Sequence, residues 1–126
     1  MSQYLFAYGT LQPRLAPGEI APVVEKLRPM GEGFTLGRLY DLGSYPAAIF
    51  DPASAWCIYG VVFEFPQNAE ILRQLDAYEG DEFARTEQVV TLVAGGVLSC
   101  WAYDYKGKPG EECFVESGRW TNPRRP

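Results

Sequence analysis

The clearest helical period in this 126-residue chain lies in QNAEILRQLDAYE, residues 67–79. Ile71, Leu72, Leu75 and Tyr78 recur at helical spacing and form one apolar stripe. Asn68 is suited to cap the first turn, Glu70 sits where the helix dipole favours an anion, and Gly80 follows as a stop. Almost everything else reads as short strands. Residues 3–8 are apolar nearly throughout, as expected of a strand buried on both faces. Residues 33–42 and 56–65 are strand-like, and 47–50 more weakly so. RTEQVVTLV (85–93) and VLSCWAYDY (97–105) flank Ala94-Gly95-Gly96, a hairpin signal. Between 15 and 30 the sequence predicts a loop and a short helix from Pro22, with Val23, Val24 and Leu27, ended by Pro29. Ten prolines and thirteen glycines are spread along the chain and suit many short elements joined by turns. One domain of α+β class, with a closed or strongly curved sheet, is the expected architecture.

Composition narrows the chemistry. The chain has no histidine, which removes Ser-His and Cys-His catalysis and most catalytic zinc sites. No glycine-rich phosphate loop is present. Acid–base work therefore falls to carboxylates, tyrosines or lysines. A net charge of −5 argues against nucleic acid and against an anionic membrane surface as partners. No apolar run approaches the roughly 20 residues that span a bilayer. Met1-Ser2-Gln3-Tyr4 puts no basic region ahead of an apolar stretch, so no secretory signal is expected. Cys57, Cys100 and Cys113 form no CxxC pair and read as reduced thiols of a cytoplasmic protein.

Two places invite a functional reading. Glu79 lies four residues after Leu75 and eight after Ile71, so it shares the helix's apolar face. In the last turn the unpaired carbonyls disfavour an anion by about 0.3–1 kcal/mol, and partial burial adds desolvation. Both effects raise the pKa, as a general base near neutral pH requires. The alternative is a solvated acid at a frayed helix end. The second place is Tyr8-Gly9-Thr10, where the first strand breaks. Successive N–H groups there could cradle a carboxylate or an oxyanion, with Gly9 allowing close approach; an ordinary strand end is the competing reading.

Taken together, AYGTL (7–11), GRLYDLGSYPAAIFD (37–51), GVVFEF (60–65), LDAYEG (75–80), FART (83–86), VLSCWAYDY (97–105) and SGRW (117–120) resemble the γ-glutamylcyclotransferase-like, or AIG2-like, family. The resemblance covers nearly the whole chain in order. It implies a small mixed β-barrel with short peripheral helices. It also implies a reaction in which the α-amine of a γ-glutamyl amide attacks its own γ-carbonyl, giving 5-oxoproline and releasing an amine or amino acid. No cofactor or metal is implied, and the partner is a small γ-glutamyl amide. Glu79 matches the family's catalytic glutamate; Tyr8, Gly9, Thr10 and Leu11 match its substrate-holding loop.

Supporting roles follow on the same positions. Gly43 and Tyr45 are read as a pocket wall or as a Tyr-Pro turn. Tyr103 and Tyr105, on one side of the last strand with Trp101, either close the pocket or fill the core. Arg85 is expected to pair away from Glu79, because direct contact would lower that pKa. Asp76, Asp81 and Glu82 are expected to act little on Glu79 if solvated. Phe83 stands where family members often carry Tyr. The competing functions are a catalytically silent module binding a small carboxylate or peptide end, and an interaction domain using its acidic surface.

Overall fold

The computed structural model describes residues 2–9, 25–43 and 45–120. The elements are β1 (Ser2–Ala7), β2 (Arg28–Asp41), β3 (Pro46–Phe50), β4 (Cys57–Pro66), α1 (Ala69–Glu79), β5 (Phe83–Leu92), β6 (Val97–Tyr105) and a 3₁₀ turn at Glu111–Cys113. The sheet runs β3-β2-β4-β1-β6-β5, and a β2–β5 pairing closes five of its strands into a barrel with β3 attached outside the ring. Gly33 opposite Leu92 and Phe34 opposite Thr91 make that closing seam. The β1–β6 pair is parallel, with Leu5 beside Trp101, while the other pairs are antiparallel, so the barrel is mixed.

β1 is buried on both faces, with Leu5 0%, Phe6 1% and Ala7 2% exposed. Alternation along the strand explains how. Phe6 and Tyr8 point into the barrel with Leu39, Ile58, Val62, Val90, Cys100 and Ala102. Leu5 and Ala7 point outward under the helix, with Phe63, Phe65, Ile71, Leu75 and Tyr103. Each large apolar side chain buried this way contributes about 1.5–3 kcal/mol relative to exposure. Gly60 lets the neighbouring strand sit close, since a Cβ there would lie 2.4 Å from the Ala7 carbonyl oxygen.

α1 begins as its sequence requires: Asn68 Oδ1 accepts from the Glu70 N–H at 2.8 Å. It ends at Gly80, whose φ of +84° suits glycine, and the Gly80 N–H donates to the Asp76 carbonyl. The buried Ile71 and Leu75 seat the helix on the barrel, with Leu72 and Tyr78 partly buried beside them.

One expectation is corrected. Pro29 does not end a helix; it lies in the first residues of β2, opposite Phe63. Proline offers no N–H to a ladder, and here it sits beside the register shift between Pro29 and Gly31 that accommodates it. Leu27 is buried in the helix-side core, a packing role that its helical spacing imitated. Pro22, Val23 and Val24 lie outside the described residues. Among the described residues no helix is long and apolar enough to cross a membrane, and the three cysteines are free.

Candidate active site

The C-terminal ends of β1 and β6, the β5 start and the end of α1 meet at one end of the barrel. Parallel pairing of β1 with β6 carries Tyr8 toward Tyr103, and the Tyr8 hydroxyl donates to the Tyr103 carbonyl oxygen. Tyr8 is buried in the barrel interior. Its ring packs edge-on against Phe50, with centroids 5.9 Å apart.

Glu79 arrives from the helix side. It is half-buried, and burial pushes its carboxyl up from 4.5 to about 7. Among the described residues no hydrogen bond or ion pair holds this carboxylate in its charged form. Its charge is felt by two phenols. The Tyr8 hydroxyl lies well above its usual range, first through burial and then through Glu79, against a backbone hydrogen bond from Ala48. The Tyr103 hydroxyl is also raised, first by burial, then by its hydrogen bond to Asp76 and the charges of Asp76 and Glu79. Both phenols therefore stay neutral donors beside a carboxyl poised near neutrality.

Tyr103 does not point a free hydroxyl at Glu79. It donates to Asp76 Oδ1 at 2.6 Å. Asp76 also takes both prongs of Arg85, Nε at 2.9 Å and Nη2 at 3.3 Å. The Arg85 guanidinium rests over Trp101, 4.6 Å from the ring centroid. Arg85 thus pairs away from Glu79, as the sequence led us to expect. Burial, not the neighbouring acids, raises Glu79, which also agrees with the reading of Asp76, Asp81 and Glu82.

Tyr45 reaches the turn after α1. Its hydroxyl donates to Glu82 Oε1 at 2.7 Å, which raises its pKa, and its ring packs edge-on against Phe83. Phe83 in turn touches Tyr105, with centroids 5.4 Å apart. Gly43 is exposed at φ +101° with nothing within 4 Å of a would-be Cβ, and its N–H donates to Asp41 Oδ1. It serves a turn more plainly than a wall. Gly9 does permit a close approach, but by Pro46: a Cβ on Gly9 would lie 2.5 Å from Pro46 Cγ. Thr10 and Leu11 lie outside the described residues.

Two residues escaped the sequence reading. Asp104 is half-buried, its Oδ1 accepts from the Phe50 N–H at 3.4 Å, and burial raises its carboxyl despite that bond. Its charge also reaches Tyr8. The signal was available: Asp104 shares strand parity with Leu98, Cys100 and Ala102, which line the barrel. Trp120 is buried in the interior core, and its Nε1 has no partner among the described residues. A helix position flags an odd acid readily, whereas a lone indole in a polar tail gives no such signal.

Among the described residues no cluster of His, Cys, Asp or Glu could hold a metal ion. A cavity of about 320 Å³ lined by Ser2, Lys26, Arg28, Glu64, Phe65 and Pro66 lies at the other end of β1, away from Glu79.

The fold has relatives of known structure. YkqA from Bacillus subtilis superposes with a TM-score of 0.74 at 21% identity over 95% of this chain, which spans 40% of the Bacillus chain. An AIG2-like protein from Mus musculus gives 0.75 at 19% identity, covering 95% of this chain and 88% of the mouse chain. A structure described as gamma-glutamyl cyclotransferase gives 0.61 at 15% identity, covering 84% and 68%. No curated protein sequence matches this one. At these identities the likeness shows the barrel alone. The sequence itself says more: residues 5–122 match the family model described as gamma-glutamyl cyclotransferase, AIG2-like, and the chain belongs to that family.

Proposed function

We propose that the protein cyclises a small γ-glutamyl amide to 5-oxoproline and releases the amine, with Glu79 as general base and then general acid. The observation that carries the proposal is Glu79 itself, a half-buried carboxyl at a helix end with its pKa raised to about 7 beside Tyr8. Family membership gives the reaction class.

The proton balance closes on one residue. The α-ammonium gives a proton to the Glu79 carboxylate, and the free amine attacks the γ-carbonyl carbon. Glu79 returns that proton to the leaving nitrogen as the tetrahedral oxyanion collapses and the C–N bond to the leaving amine breaks. The regenerated carboxylate then takes the second proton from the new ring nitrogen and passes it to the released amine, which departs as an ammonium. An α-amino group titrates near about 8, so transfer to a carboxylate at about 7 costs about 1.4 kcal/mol. Transfer to the ordinary value of 4.5 would cost about 5 kcal/mol. The raised pKa is therefore worth several kcal/mol at this step. Holding the substrate folded supplies the rest, since well-oriented intramolecular reactions reach effective molarities of about 10⁵–10⁸ M. In the proposal, main-chain N–H groups of residues 9 to 11 hold the substrate carboxylate or the oxyanion. In the same proposal Tyr8, Tyr45 and Tyr103 surround the glutamyl part, and Gly43 serves the turn that precedes Tyr45. Free thiols suit a cytoplasmic setting.

A silent binding module of the same fold is the second reading. It is favoured by Phe83, which offers no hydroxyl where it packs between Tyr45 and Tyr105. Release of 5-oxoproline from a panel of γ-glutamyl amides separates the two. Glu79→Gln should keep the fold and lower turnover by about 10²–10⁴-fold. Full turnover in that variant refutes the base assignment, and binding without turnover in the wild type favours the silent module.

A further inference from the structure

Two half-buried carboxylates belong to the surroundings of Tyr8, one from the helix and one held on the N–H of Phe50, whose ring packs 5.9 Å from that of Tyr8. The reaction proposed above employs only the first. Asp104 is the other. Its strand parity directs it to the barrel interior, and the Phe50 N–H anchors Oδ1. That leaves Oδ2 without a partner among the described residues. Glu79 apart, the remaining half-buried acids of the described chain are answered: Glu64 by Arg28, Asp76 by Arg85, and Asp41 by the Gly43 N–H. Asp104 has no cation among the described residues. A carboxylate taken partly out of water without a counter-charge is costly, and an arriving cation relieves that cost.

The charges of a γ-glutamyl amide decide which cation this can be. The substrate α-carboxylate is repelled by Asp104. The α-amine must attack as a neutral amine, and contact with a second carboxylate would hold it as ammonium. The remaining position is the amine that leaves. We infer that Asp104 receives a positive charge on the leaving amine, so that the site prefers γ-glutamyl derivatives of diamines to those of neutral or acidic amines. The inference rests on the cyclotransferase reading and adds to it a residue that selects the substrate.

The test compares γ-glutamyl derivatives of butanediamine, n-pentylamine and γ-aminobutyrate on the wild type and on Asp104→Asn. Asparagine keeps an acceptor for the Phe50 N–H. The readout is the ratio of kcat/KM for the diamine amide over the pentylamine amide, which a general loss of activity leaves unmoved. The wild type should favour the diamine by about tenfold, the scale of one hydrogen bond to a charged group. The γ-aminobutyrate amide should be the poorest of the three. In Asp104→Asn the diamine preference should fall to about one. A preference that survives in Asp104→Asn, or wild-type turnover without regard to charge, overturns the role of Asp104 and leaves the cyclotransferase reading standing. Wild type that turns over none of the three overturns both.

Discussion

Replacing Glu79 by glutamine should make the protein more stable, and by an amount that grows with pH. In the folded chain this carboxyl titrates at about 7; its ordinary value is 4.5. Between those values the folded state holds a proton that the unfolded state has released. Stability then falls as pH rises through that window. Below 4.5 both states are protonated and nothing is lost; above about 7 the full cost of a charged, half-buried carboxylate is present. At about 1.36 kcal/mol per pH unit the full cost is about 3 kcal/mol. Glutamine resembles the protonated acid and never ionises. The stability difference between variant and wild type should therefore be below about 1 kcal/mol at pH 5, about 2 at pH 6 and about 3 at pH 8. Urea unfolding followed by tryptophan fluorescence at the three pH values measures it. Asp104 and the other titrating groups are common to both proteins and cancel in the difference. A difference that stays constant with pH, or a variant less stable than wild type at pH 8, would refute the claim that burial raises this carboxyl.

The same pKa shapes the rate. If Glu79 is the base, kcat/KM should climb with pH and level off above about 7 on the acid side of the profile; a profile flat from pH 5 to 8 counts against it. Gly60→Ala would put a methyl 2.4 Å from the Ala7 carbonyl oxygen. It should push β4 from β1 and cost about 1–3 kcal/mol in urea unfolding, and an unchanged midpoint would show that the strands yield freely. Arg85→Ala strips Asp76 of both its hydrogen bonds to the guanidinium and uncovers Trp101. A loss of about 1–2 kcal/mol is expected, and a change under about 0.3 kcal/mol would mean that the pair is solvated.

Much of this architecture is written locally. The period of 3.6 in residues 69–79, the Asn68 cap and the Gly80 stop are properties of neighbouring residues, and they appear where the sequence puts them. The same logic put Glu79 on the apolar stripe, which made a raised pKa one of two readings; burial in the barrel, not the spacing, decided against a solvated acid. The unbroken apolar run of β1 announced a strand covered on both faces, because alternation leaves no other use for it. Pro29 misled for the converse reason: proline ends helices and begins strands alike, and only the partner strand distinguishes the two.

What local pattern could not decide is who meets whom. Leu5 lies beside Trp101 across ninety-six positions, and Gly33 closes the barrel on Leu92. Those pairings arise from the shared need of six strands to bury both faces and close their edges, not from any adjacent signal. They in turn direct the Tyr8 hydroxyl to the Tyr103 carbonyl, hand Arg85 to Asp76, set Pro46 against Gly9 and bring Asp104 toward Tyr8. The sequence by itself determined the helix, the doubly buried strand and the odd acid. Only the closed barrel decided which phenols and which second carboxylate that acid would share its surroundings with, because a desolvated charge depends on the walls around it and those walls come from distant parts of the chain.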